Sequence, residues 1–220
     1  MNELIFILQS ITVAGAVLIA LRIGSAALIA LAALQAICAN FFVLKQINLC
    51  SYNATASDAY AIGGLLALNV LQEYYGPELA RRAIGISFGC MVLFMIVSQL
   101  HLAYAPSTLD VLHPAYCSLL MHTPRIIVAS FVTYGLMQLF DAALYRTFKR
   151  ITGGRWYLLR NYASVLISQL GDTIMFSFLG LYGIVDNLTD IIFVSYSIKL
   201  LVTLCATPFL ALTRNIKKGP

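Results

Sequence analysis

Apolar residues run through the 220-residue chain in long blocks, separated by short polar or charged stretches. Block length carries the first prediction, because an α-helix needs about 20 apolar residues to cross roughly 30 Å of hydrocarbon. Blocks at about 3–21, 23–44, 57–76, 83–104, 123–145, 161–184 and 188–211 predict seven membrane helices. The third is the least regular, since AIGGLLALNVLQEYYG is short and carries Gly63, Gly64, Asn69, Gln72 and Glu73, which leaves room for a broken or tilted helix. Nothing between the blocks is long enough for a separate soluble domain, so one transmembrane domain over residues 1–220 is expected.

Composition agrees. Hydrophobic residues make up 60% of the chain and charged residues 10%, with a mean hydropathy of +0.86, where a soluble domain carries about 25% charged residues. The start, MNELIFILQS, has Glu3 and no Lys or Arg ahead of its apolar run, so a cleaved signal peptide is not expected and the first helix should stay. The five cysteines, at 38, 50, 90, 117 and 205, form no CxxC pair and suggest neither a disulfide framework nor a zinc ribbon. Core packing accounts for most of them. Cys50 and Cys117 fall in connections on one side, where a bridge between them is conceivable.

Charge then orients the helices. Alternate connections hold Arg22; Arg81 and Arg82; Arg146, Lys149, Arg150, Arg155 and Arg160; and Arg214, Lys217 and Lys218. The opposite set holds only Lys45 and Arg125, with the acids Glu3, Asp58, Asp110, Asp186 and Asp190. Lys and Arg in short loops mark the cytoplasmic side, so the N-terminus is expected outside and the C-terminus in the cytoplasm. The net charge of +5 is therefore a topology signal. Nucleic-acid binding is disfavoured, because the cations are scattered and no aromatic-interleaved platform accompanies them.

Four charged residues remain inside the spans: Glu73, Asp141, Asp172 and Lys199. A lone charge at the centre of a membrane helix costs on the order of 3 kcal/mol. Asp172 and Lys199 fall at similar depths near the midplane on neighbouring helices, and pairing would lower the cost of burying either. The pair is either a structural clip or part of a polar cavity that handles a solute. Its surroundings bear on the choice. Ser168, Gln169 and Phe176 share the face of Asp172, Tyr134, Gln138 and Asp141 follow helical spacing on the fifth span, Asn69 and Glu73 do so on the third, and Tyr196 precedes Lys199. Interhelical hydrogen bonding explains any one amide. The set of amides, carboxylates and aromatic rings suits a flat heterocycle with a mixed donor and acceptor edge.

Other patterns add less. His101, His113 and His122 with Cys117 lack a recognised metal spacing, so no metal is expected. Ala26 with Ala30 and Ala32 with Ala36 give small-xxx-small spacing, which also arises by chance in an Ala-rich segment. RTFKRITGGRW reads as a loop with a turn at Gly153 and Gly154 and an interfacial anchor at Trp156. No GxSxG, HExxH or phosphate loop is present, so motifs support neither serine or zinc hydrolysis nor ATP binding.

The stretches ASFVTYGLMQLFDAALYRTFKR, GRWYLLRNYAS and ISQLGDTIMFSF, with Tyr196, Lys199 and Pro208, resemble the queuosine precursor transporter family, also grouped as vitamin uptake transporters. Asn40 in ICANFFVLK and the run EYYGPELARRAI fit the same pattern, and the resemblance covers roughly residues 30–212. It implies an all-α integral membrane protein of the bacterial cytoplasmic membrane. The implied core has six helices, similar to the substrate-binding components of energy-coupling factor transporters, over about residues 23–212, with one extra N-terminal helix. It further implies import of 7-deazaguanine precursors of a tRNA base (preQ0, preQ1 or queuine), whose aminopyrimidinone edge suits a carboxylate and amides. Carried over, the candidate binding residues are Asn40, Glu73, Gln138, Asp141, Gln169, Asp172 and Lys199. Asn69 stands where many members have an acid, so a proton or cation site there is absent or has moved to Glu73.

The leading expectation is a secondary carrier with a midplane site and no cofactor, in which Glu73 or Asp141 could carry a coupling proton. A second is a binding subunit that needs an external ATPase module and coupling protein. A third is a membrane-embedded enzyme using Asp141 and Asp172 as paired acids, disfavoured because the two lie at different depths.

Overall fold

The computed structural model describes the backbone of residues 1–151 and 157–217. Its long helices are α1 (Asn2–Ile23), α2 (Ser25–Phe42), α3 (Asp58–Tyr75), α4 (Pro77–Leu102), α6 (Thr123–Ile151), α7 (Tyr157–Phe176) and α8 (Leu188–Lys217), with a short α5 (His113–Leu120) before α6. A π-helical turn, Ser177–Leu181, extends α7. Among the described residues, four stretches are long and apolar enough to cross a membrane: Asn2–Ile23, Ser25–Phe42, Pro77–Leu102 and His113–Phe148. The protein is a multi-pass membrane protein. The remaining long helices, α3, α7 and α8, bury polar side chains at Asp58, Ser168, Thr173 and Ser195. The turn expected at Gly153 and Gly154 and the anchor at Trp156 lie outside the described residues.

Boundaries move for local reasons. Pro77 starts α4 earlier than the apolar run does, because proline fits the first helical turn, where its missing N–H is not needed. Gly76, at φ 88°, and Gly24, at φ 133°, let the chain reverse direction within one residue between helices.

Helix α3, the segment open to breaking, is continuous and central. It packs against α1, α2, α4 and α8, and Ala67, Val70 and Leu71 are fully buried in a core shared with Val17, Leu28, Ala32 and Ala83. Ala32 lies in that core, whereas Ala26 and Ala30 are exposed. Lipid tails are as apolar as leucine, so this association rests on close packing. Gly63 permits it: a Cβ there would lie 2.9 Å from Gln35 Cδ and 3.0 Å from Val13 Cβ. Gly63→Ala is expected to destabilise the bundle by about 1–3 kcal/mol through overpacking. A lowered thermal unfolding temperature in detergent checks it, and an unchanged one would mean that Gln35 gives way without cost.

The connection between α2 and α3, unassigned by the hydrophobic pattern, is an antiparallel hairpin of β1 (Gln46–Leu49) and β2 (Tyr52–Thr55), with Leu49 opposite Tyr52. Its two turn residues, Cys50 at φ 48° and Ser51 at φ 72°, have the left-handed conformations of a type I′ turn, usually filled by Asn and Gly. The turn is held from outside. Cys50 N–H donates to Glu3 Oε1 at 3.1 Å, Asn2 Nδ2 donates to Asn48 O at 3.0 Å, and Asn53 N–H donates to Asp190 Oδ2 at 3.3 Å. Ser51→Gly should relieve a strain of about 1–2 kcal/mol, less the entropy glycine adds to the unfolded chain, for a net gain near ~0.5 kcal/mol. Thermal unfolding reads this as a small rise, and a fall would show that the Ser51 side chain contributes more than its backbone costs.

The hairpin joins the N-terminus and the start of α8 at one end of the bundle, and Leu49, Ala54 and Val194 pack together there. It also places α3 below that end. Asp58, the first residue of α3, accepts a hydrogen bond from Ser195 Oγ at 2.9 Å, and Ser195 lies seven residues into α8, about 10 Å along its axis. Non-helical backbone at such depth is tolerated only where protein surrounds it. The burial of Ala54 and Thr55 meets that condition. This corrects the placement of Asp58 among the outer loop acids: it is 6% exposed, inside the bundle. A Cys50–Cys117 bridge is likewise not formed. Both thiols are free, and Cys117 Sγ lies 3.3 Å from His113 Nε2 instead.

Candidate functional site

Asp172 and Lys199 form the ion pair that their depths predict. Lys199 Nζ donates to Asp172 Oδ2 at 2.5 Å and to Thr173 Oγ1 at 3.0 Å. Counted from the hairpin end, Lys199 is eleven residues into α8 and Asp172 nine residues before Leu181, depths of about 14–17 Å. That is close to half of a roughly 30 Å hydrocarbon core.

Three adjoining cavities surround this pair. One, of about 140 Å³, is lined by Asn40, Thr55, Ser57, Asp58, Ser130, Phe176, Ser195 and Lys199. The next, of about 240 Å³, shares Asp58 and Lys199 with it and adds Leu65, Gln169, Asp172 and Ile198. The third, of about 180 Å³, shares Gln169 and Asp172 with the second and adds Tyr134, Gln138, Asp141 and Ser168. The cavities thus form a row through the bundle, with Asp172 and Lys199 at its middle.

Helical spacing explains how one helix serves two cavities. Gln169 and Asp172 are three residues apart and share a face of α7, while Ser168 turns toward α6 and donates to Asp141 Oδ1 at 2.9 Å. Tyr134 packs edge-on against Phe88 with ring centroids 4.9 Å apart, which fixes one aromatic wall. Tyr196, expected beside Lys199, donates from its hydroxyl to Leu166 O at 3.3 Å and ties α8 to α7.

Six of the seven candidate residues line this row: Asn40, Gln138, Asp141, Gln169, Asp172 and Lys199. Glu73 does not. It is exposed in the last turn of α3, away from all three cavities. Asn40 has a structural duty beside any binding one, donating to Ala36 O at 2.8 Å and accepting from Ser130 Oγ across the α2–α6 contact. Sequence reasoning passed over Asp58, Thr55, Ser57 and Ser195. Apolar block length could not find them, because they straddle the junction where the hairpin dips into the bundle. Among the described residues, no group of three or more His, Cys, Asp or Glu side chains could hold a metal ion.

Comparison with known proteins gives this arrangement a family. The family profile described as "Putative vitamin uptake transporter" matches residues 59–213. A curated relative from Bacillus subtilis (strain 168), described as "Probable queuosine precursor transporter", is 32% identical over 177 residues, covering 79% of this chain and 77% of the relative. No solved structure matches the chain. The matched region begins at the first turn of α3 and contains both partners of the central ion pair, and the chain belongs to the queuosine precursor and vitamin uptake transporter family of membrane proteins.

Proposed function

We propose that this chain imports a 7-deazaguanine precursor of queuosine as a secondary carrier, with the row of cavities as its substrate path. The observation that carries the reading is the middle of that row. Gln169 and Asp172 face two cavities at once, flanked by Gln138 and Asp141 on one side and Lys199 on the other. An aminopyrimidinone edge presents adjacent N–H donors and a carbonyl acceptor; a carboxylate takes the donors, an amide takes either, and Lys199 serves the carbonyl. Tyr134 and Phe176 supply flat apolar surface. Site and ion pair lie near mid-depth, where a carrier exposes its site to each side in turn. Arg22 in the last turn of α1 and Arg81 and Arg82 near the start of α4 lie at the end opposite the hairpin, which supports a cytoplasmic basic end and an external N-terminus.

The test is uptake of labelled 7-deazaguanine bases by cells that lack their own synthesis and import. Proteoliposomes holding the purified chain without ATP serve as the second arm. Uptake in both supports a self-sufficient carrier. Uptake in cells alone would make the chain a subunit of an ATP-driven assembly, and none in either would overturn the reading.

A further inference from the structure

We propose that Asp58, with the hydroxyls of Thr55, Ser57 and Ser195, forms a binding site for one small monovalent cation, a proton or sodium, beside the central ion pair. As a coupling site it rests on the transport reading; as a binding site it does not.

Charge accounting is the first argument. Among the described residues lining the two cavities around Lys199, the carboxylates of Asp58 and Asp172 face one ammonium. Lys199 is committed to Asp172, with Thr173 as its second acceptor. A buried carboxylate beyond the reach of bulk water is costly unless a positive charge joins it. The second argument is the donor set. Thr55, Ser57, Asp58 and Ser195 are each at most 7% exposed and line one cavity. Ser195 Oγ donates to Asp58 Oδ2 at 2.9 Å, and the Thr55 and Ser57 hydroxyl oxygens lie 2.8 Å apart. One carboxylate and three hydroxyls offer only oxygen ligands, the preference of a hard cation. They come from the end of β2, the start of α3 and the second turn of α8, so occupancy would join the hairpin to two helices that border the path. Among the described residues nothing else charged competes. The groups facing Asp58 are Lys199 and Ser195 from α8, Thr55 from β2 and Asp172 from α7, while α2 and α6 bring only Asn40 and Ser130.

Thermal unfolding of the substrate-free protein in detergent, for the native chain, Asp58→Asn and Ser195→Ala, tests the site. A cation bound only by the folded state raises the unfolding temperature, by about 5 °C at a hundredfold excess over Kd. If sodium is the ligand, NaCl in place of choline chloride raises the native value at fixed pH and leaves Asp58→Asn unmoved, while Ser195→Ala needs about tenfold more sodium. If the ligand is a proton, the native chain gains over Asp58→Asn as pH falls. Ser195→Ala then shifts that gain to higher pH, because it removes a hydrogen bond to the ionised form. Should Asp58→Asn not fold, Ser195→Ala against native reads both arms. Native and variant curves that respond alike to sodium and to pH overturn the site. Substrate counterflow in proteoliposomes is the separate check: a native chain that exchanges nothing defeats the transport reading, while the melting curves still decide the cation.

Discussion

Lys199→Ala is expected to lower both stability and uptake, and the double variant Asp172→Asn with Lys199→Ala is expected to recover the first without the second. Removing one partner of a buried pair leaves the other charge uncompensated, at about 3–5 kcal/mol for a fully buried pair. Here the side chains keep 24% and 33% of their exposure, so roughly 1–3 kcal/mol is the fitting scale. Neutralising both removes that penalty, because the amide and the methyl group that replace the pair bury no charge. Were the pair only a clip between α7 and α8, the double variant would also transport normally. A binding role predicts uptake reduced by a hundredfold or more, since a site built around polar partners loses far more than packing when they go. Thermal unfolding and labelled uptake at matched membrane levels separate the two, and recovery of uptake in the double variant would sink the binding role.

That pair is legible in the sequence because its signal is local: a charge in an apolar block is conspicuous, and the axial rise converts sequence distance into depth. The same arithmetic located α1, α2, α6 and α8 to within a few residues at their starts. It failed at residues 46–55. A hairpin of two four-residue strands has neither the length of a membrane helix nor an alternating apolar face, and its turn uses Cys50 and Ser51 where Asn and Gly would have signalled it. Missing the hairpin placed Asp58 in a loop. Its burial depends on Ser195, 137 residues away, and no local pattern reports so distant a partner. Glu73 shows how little sequence position says about cavity lining. It shares a face with Asn69 by spacing, yet it is exposed and lines none of the three cavities, whose α3 residues end at Leu65. Helix-scale features thus follow from chain chemistry alone, whereas the membership of a cavity is decided by which helices meet.

Gln169→Leu carries the second large effect expected of this site. Glutamine and leucine have nearly equal helix propensity, and Gln169 is half-buried between two cavities, so α7 should persist and the fold should change little. The carboxamide is lost, however, together with its ability to donate on one side and accept on the other. A base bound through its polar edge would then bury a donor or acceptor against a methyl group, at about 1–3 kcal/mol for each unsatisfied group. The expected outcome is a rise of roughly ten- to a hundredfold in the concentration of 7-deazaguanine base needed for half-maximal uptake, with the unfolding temperature held within a few degrees of native. Gln169→Glu provides the sharper contrast, because it keeps the shape and the acceptor, removes the donor, and sets a new carboxylate three residues from Asp172. Like charges on one helical face repel, and the ion pair with Lys199 would have to be shared. Uptake should therefore fall further in Gln169→Glu than in Gln169→Leu. Equal, mild losses in both would mean that the base does not contact this amide and that the substrate path runs through the Asp58 side of the row alone.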